Sequence, residues 1–262
     1  MNAHRRRTVV WAVLFAGIMI TALSAPLIAP YSPTTGSDQS FLSWRTDHWL
    51  GTDHLGRDVL SRVLWGARNS LFSALLSTLL AAGVGIVVGG AAGGAGGLLD
   101  RVLMRTVDIL LAFPGLLLAL VLVVVFGAGQ WQAALAVGSA LSLPLSRLVR
   151  ASVLTVRSEP YLDSARAVGA GPIRIVVLYI FPNIIDQLIS HLTVVFSWSL
   201  LNMSAMDFLG VTGSLSTVSW GRMISEGRPY LREAPSIALV PGLLLTLTAV
   251  AVTGIGDYWK RQ

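Results

Sequence analysis

Apolar residues in this chain fall into long blocks separated by short polar stretches, with little of the alternation that marks a half-buried strand. A helix rising 1.5 Å per residue needs about 20 apolar residues to cross roughly 30 Å of hydrocarbon. Six blocks approach that length: Val9–Ile28, Leu71–Gly94, Val107–Phe126, Ala133–Leu148, Ile184–Met206 and Ile237–Ile255. The pattern predicts an all-α integral membrane protein with six transmembrane helices. The fourth block is short and contains Pro144; Pro114 and Pro241 also lie inside blocks and are expected to kink them. The first follows Arg5-Arg6-Arg7, but its apolar run is long for a signal peptide and "SAPLIAPYSP" makes a poor cleavage site. It is read as a retained anchor.

The blocks divide the chain into residues 1–30 (cytoplasmic start and first span), 31–69 (an external segment with a short amphipathic helix), 70–256 (a five-helix core) and 257–262 (a cytoplasmic tail). The core includes a polar loop at 158–182. Two finer patterns sit on the spans. Gly85, Gly89, Gly93 and Gly97 recur every fourth residue, a row of small residues that admits another helix closely, whether for sliding or for static packing. Asn183, Asp186, Ser190, Thr193 and Ser197 form a polar stripe at helical spacing, with Gln187 and His191 beside it. Such a stripe avoids lipid. It serves either the wall of a translocation path, for which Asp186, Ser190, Thr193 and Ser197 are the candidates, or hydrogen bonding between helices.

Composition sharpens the class. Hydrophobic residues make up 54% of 262 and charged ones 12%, about half the charged share of an ordinary soluble domain. The net charge of +6 comes from residues lying between the apolar blocks, which marks orientation rather than nucleic-acid binding. With the N-terminus inside, twelve basic residues fall on the cytoplasmic side (Arg5, Arg6, Arg7, Arg101, Arg105, Arg147, Arg150, Arg157, Arg166, Arg174, Lys260, Arg261). Seven fall outside (Arg45, Arg57, Arg62, Arg68, Arg222, Arg228, Arg232), facing seven acids (Asp38, Asp47, Asp53, Asp58, Asp207, Glu226, Glu233). Both termini and the 158–182 loop are therefore expected in the cytoplasm. The chain has no cysteine. His48 and His54 flank Asp53 without the spacing of a metal site. Hydrolase and phosphate-cradling motifs do not occur, so no catalytic residue, cofactor or metal is assigned to this chain.

The loop at 158–182 reads as two short helices around a sharp turn. Ser158 can cap a helix that Glu159 and Pro160 begin and that runs to about Val168. Gly169 suits the left-handed residue that ends it, and Pro172 can open a second helix leading through Phe181-Pro182 into the fifth span. Tyr161, Ala165 and Val168 share one face, suited to a shallow groove on a cytoplasmic partner.

These residues resemble a family. Asp163-Ser164-Ala165, then Gly169, then Tyr179-Ile180-Phe181-Pro182 is similar to the EAA loop of ABC importer permeases, with Asp163 and Ser164 replacing Glu and Ala. "HWLGTDHLGRDVLSRVLWGARNSL", "RTVDILLAFPGLLLALVLVVVFG", "SWGRMISEGRPYL" and Gly256-Asp257 resemble segments of the C-type permease of dipeptide and oligopeptide importers. The resemblance implies the type I importer bundle in a bacterial inner membrane, forming one half of a heterodimeric pore. Its implied partners are a sister permease, two ATPase subunits that bind ATP and Mg, and an external substrate-binding protein. It makes Tyr161, Asp163, Ser164, Ala165, Arg166, Val168, Gly169 and Pro172 the ATPase-coupling residues, and sets the segments 31–69 and 207–235 facing the binding protein. Nickel complexes, glutathione or haem are alternative cargoes within the class. An ion-coupled secondary transporter, the rival from another class, would need carboxylates at mid-membrane and an internal repeat, and the acids here lie near the span ends.

Overall fold

The computed structural model describes residues 3–44, 47–213 and 217–259. Arg45, Lys260 and Arg261, used above for orientation, lie outside them. Among the described residues the secondary structure is helical, apart from a single bridge between Thr52 and Asp58.

The chain opens with α1 (Ala3–Leu23) and the short α2 (Ala25–Ile28), then crosses an irregular segment to α3 (Val59–Ala95). α3 is 37 residues long and starts well before the expected span. Asp58 begins it: its carboxylate accepts the Ser61 N–H at 2.7 Å, satisfying a donor left open in the first turn. The short amphipathic helix expected within 31–69 is therefore no separate element; its residues are the outer turns of α3.

The third predicted span is broken. α4 (Gly97–Leu111) and α5 (Gly115–Phe126) meet at a bend of 98°. Pro114 explains the break, since it has no N–H to donate and pushes Phe113 away from helical geometry. Pro144 has no such effect. α6 (Gln130–Arg157) runs through it for 28 residues, so the fourth span is longer at both ends than its apolar block. After the loop come α9 (Phe181–Phe208), the short external α10 (Trp220–Gly227) and α11 (Ser236–Trp259).

By length and composition four stretches can cross a membrane: α3, α6, Val176–Phe208 and Ser236–Asp257. The bent α4–α5 pair makes a fifth, and Thr8–Leu23 is a shorter apolar helix. All six predicted blocks are thus helical; α1 runs 21 residues across the first, and the third is not one rod.

The core is built on the α3–α6 seam. A Cβ on Gly89 would stand 2.3 Å from the Ser146 carbonyl oxygen, and one on Gly85 or Gly93 would stand 2.9 Å from Leu145 or Val153. These three glycines let α6 lie directly on α3. Gly97 leaves the row: it follows the end of α3 with φ +60° and opens α4. On another face of α3, Gly83, Gly90 and Gly94 have nothing within 4 Å of where a Cβ would stand. α9 packs on both α3 and α6, and α11 lies on α9 with α1 against it.

Candidate functional site

α6 ends at Arg157, whose Nη1 donates to the Gly93 carbonyl at 3.0 Å and fixes the loop's root to α3. Ser158 closes α6 instead of capping the next helix. Its hydroxyl donates back to the Thr155 carbonyl at 2.7 Å, so the cap expected from sequence is spent on the preceding turn. α7 (Pro160–Ala167) then begins with proline, whose missing N–H costs nothing in a first turn.

Leu162, the one large aliphatic residue in α7, is fully buried in a cluster with Val153, Ile175, Ile180 and Ile184. It is the root of the protrusion, a role set by partners outside α7 and so not visible in the loop's own pattern. Tyr161 and Val168 point outward, 40% and 90% exposed, while Ala165 is half-buried between them and Asp163 and Ser164 are exposed. Gly169 takes φ +88°. The Ala170 N–H reaches back to the Ala165 carbonyl at 3.0 Å, the six-to-one bond of a Schellman ending. No atom lies within 4 Å of a Cβ built on Gly169, so its requirement is one of backbone conformation alone. Arg166 and Pro172 lie on the helical backbones of α7 and α8 (Pro172–Ile175); their side chains fall outside what is described.

A wide turn, Val176–Ile180, joins α8 to α9, with the Phe181 N–H bonded to the Val176 carbonyl five residues back. Pro182 accounts for it. Its ring cannot donate and would strike the Leu178 carbonyl in a regular helix, and an extra residue in the turn relieves both faults. Two ion pairs brace the base from the side: Arg150 Nη2 to Asp100 Oδ2 at 2.6 Å and Arg147 Nε to Asp108 Oδ1 at 2.9 Å tie α4 to α6. The result is a small helix with an outward face, a fixed root and a stiff base.

The polar stripe on α9 divides. Ser190 is fully buried and donates to the Gly256 carbonyl at 2.9 Å. Ser197 meets the Ala249 carbonyl and the Thr253 hydroxyl, each at 3.0 Å. Thr193 donates along its own helix to the Ser190 carbonyl, with its side chain filling the space above Gly256. These three hydroxyls stand on the α9–α11 seam. Asp186 stays exposed, and Gln187 beside it accepts the Ser152 hydroxyl at 3.0 Å.

At the far end of α3 lies a charge network whose members show in the sequence only as balanced charges. Glu226 accepts Arg62 Nη2 at 2.6 Å and Arg57 Nη2 at 2.9 Å on one oxygen, and Arg222 Nε at 2.8 Å on the other. Asp53 holds Arg57 Nε at 2.7 Å and Arg62 Nη1 at 3.2 Å. Arg62 and Asp53 are each 1% exposed. Burial pushes the Glu226 carboxyl up, but Arg62, Arg222 and Arg57 together hold it below the ordinary glutamate value. The i,i+4 spacings of Asp53 with Arg57 and of Arg222 with Glu226 were the available signal; the long-range closure by Arg62 was not visible. Trp220 is buried beside this network, its Nε1 donating to the Val63 carbonyl at 3.1 Å. His48 is held by Asp58 at 2.9 Å and His54 stacks on Tyr230, so the two histidines do not converge.

Residues 85–261 match the model of a family described as the inner membrane component of binding-protein-dependent transport systems. The chain is 38% identical over 258 residues to a glutathione transport system permease protein, GsiD, of Shigella flexneri serotype 5b, covering 97% of this chain and 85% of that one. The proteins of the same description from Escherichia coli O6:K15:H31 and Escherichia coli O157:H7 are 36% identical with the same coverage.

Proposed function

The chain belongs to the family of inner membrane components of binding-protein-dependent transport systems, and we propose that it is the half of a peptide-importing pore that receives force through α7. It is a multi-pass permease of the ABC importer class. In our reading a sister permease completes the pore, two ATPase subunits carrying ATP and Mg seat α7, and an external binding protein delivers cargo. The cargo is a short peptide, and the glutathione named for the relatives is itself a tripeptide. Asp186, exposed on α9, is the part of the polar stripe left to face the path.

The observation that carries this reading is the protrusion itself: a helix rooted by Leu162, exposing Tyr161 and Val168, and ended by a glycine at φ +88°. A residue with a Cβ costs roughly 1 kcal/mol or more in that conformation, and a β-branched one costs more. A short helix buries little area, so its affinity depends on fit. Gly169→Val is expected to leave the membrane helices folded and to lose the ATPase subunits, or to uncouple hydrolysis from uptake. The complex is purified through a tag on this chain, and ATPase retention is scored with uptake of labelled glutathione and dipeptides in vesicles. Full retention with normal uptake would remove α7 from the coupling role. Coupled uptake of neither cargo by the unaltered complex would overturn the peptide assignment alone.

A further inference from the structure

The seam between α3 and α6 stops before α6 does. Its last glycine contact is at Gly93, where a Cβ would stand 2.9 Å from Val153. α6 continues for one more turn, to Arg157. α3 ends at Ala95, and the chain leaves it through Gly96 and Gly97, both at positive φ. The last four carbonyls of a helix have no partner within it. Here the Ala92 carbonyl accepts the Gly96 N–H at 3.1 Å, and the Gly93 carbonyl accepts Arg157 Nη1 at 3.0 Å. Nη1 also lies against the joint to α4, 3.3 Å from where a Cβ on Gly96 would stand. A cation suits this place, since the C-terminal end of a helix is negative. One side chain thus ties the root of the coupling loop to a helix end 64 residues earlier.

Beside this bond the loop has little backing from α3. Gly90 and Gly94 of α3 and Val176, Val177 and Ile180 of the wide turn line an open groove of about 520 Å³, with Arg157 in its wall. Nothing lies within 4 Å of a Cβ built on either glycine, so on this side the loop has room to shift without moving α3. Leu162 fastens α7 to Val153, Ile180 and Ile184, which belong to α6, the wide turn and α9. Displacement of α7 therefore reaches the end of α3 through the last turn of α6, and Arg157 closes that turn onto α3. We propose that Arg157 is a positioning residue for transport, whose grip on the end of α3 makes that helix follow α7. The inference rests on the reading of α7 as the coupling helix.

The absence of native cysteine makes the motion measurable. Spin labels are placed at Val87→Cys on α3 and Val168→Cys on α7, both exposed, in the whole complex reconstituted in vesicles. Their separation is expected to hold when ATP analogue traps the ATPase subunits closed, and to change once Arg157→Ala is added. Arg157→Ala is also expected to keep the ATPase subunits and their hydrolysis while uptake per ATP falls several-fold. Arg157→Lys, which keeps a cationic donor on a long stem, should restore most of both readouts. A merely structural role would lower hydrolysis and uptake together and leave their ratio. A separation that changes with Arg157 intact overturns the proposal, and so does one that holds in Arg157→Ala. Loss of the ATPase subunits from Arg157→Ala also overturns it, by placing Arg157 in the docking surface. If Arg157→Ala does not assemble, Arg157→Gln is read by the same criteria. Gly169→Val, measured in parallel, separates the inference from its premise. If it uncouples and Arg157→Ala does not, the role of Arg157 alone falls; if neither uncouples, coupling through α7 falls with it.

Discussion

Glu226 is the residue on which three guanidinium groups converge, and one of them, on Arg62, has almost no access to water. Removing the carboxylate leaves that charge with Asp53 alone. Breaking a buried pair from one side costs about 3 kcal/mol, so Glu226→Ala should lower the thermal midpoint of the purified permease clearly, and Glu226→Asp should do so less. The same pairing sets an acid limit. The folded carboxyl titrates below its unfolded value, so its contribution is present above the unfolded value and is lost as pH falls through the folded one. Melting curves in nanodiscs should show the wild-type protein losing stability toward acid, and Glu226→Gln losing less over that window. Gly169 was legible from sequence because its requirement is local: a helix end needs a left-handed residue. Leu162 and Arg62 were not, because each is defined by partners far along the chain.

The two glycine rows of α3 make opposite claims about the element they share. Gly89 faces the α6 backbone and Gly90, its neighbour, faces open space. A methyl group on Gly89 would drive the seam apart, whereas one on Gly90 removes only the backbone freedom that weakens a helix, worth about 0.5–1 kcal/mol. Gly89→Ala should therefore lower the thermal midpoint, and Gly90→Ala should leave it unchanged or raise it. The α9–α11 seam gives a parallel case. Ser190→Trp has no room beside Gly256, so it should impair folding or recovery of the complex before any effect on transport is measurable; a fully assembled but blocked Ser190→Trp complex would return that residue to the path. Periodicity revealed the Gly85, Gly89 and Gly93 row and the stripe, since small and polar residues at helical spacing demand shelter from lipid. What sheltered them was hidden, because periodicity locates a face and does not name its neighbour. The break at Pro114 and the continuity through Pro144 show the same limit: a proline weakens a turn, and packing around it decides whether the helix stops.

At the scale of the whole molecule, the predicted arrangement places α7 on the cytoplasmic side and the Glu226 network outside. Thiol labelling of single cysteines in intact cells checks it, and the structure chooses the positions. Gly51 and Gly221 are poor sites, since a Cβ there would stand 2.2 Å from the Leu42 carbonyl oxygen or 2.1 Å from that of Ser204. Val168, Asp38 and Glu233 are exposed. An impermeant reagent should label Asp38→Cys and Glu233→Cys but reach Val168→Cys only after the membrane is opened; the reverse pattern would invert the topology. The helical class and the blocks that become helices were legible because water and lipid sort residues over twenty positions at a time. The length of α3 was not, because its outer turns carry the polar residues of a network and look like loop.

The paired rows on α3 also carry a historical consequence. A position walled by another helix can change only if the wall changes with it, whereas a position facing open space is free to drift. Across descendants of a common ancestor, Gly85, Gly89 and Gly93 should persist, or vary only together with Leu145, Ser146, Val149 and Val153. Gly83, Gly90 and Gly94 should wander among alanine, serine and larger residues, unless the assembled pore brings a neighbour against them. Counting substitutions at these six sites in an alignment of relatives would thus read, from inheritance alone, which side of α3 is closed within the subunit and which is closed by its surroundings.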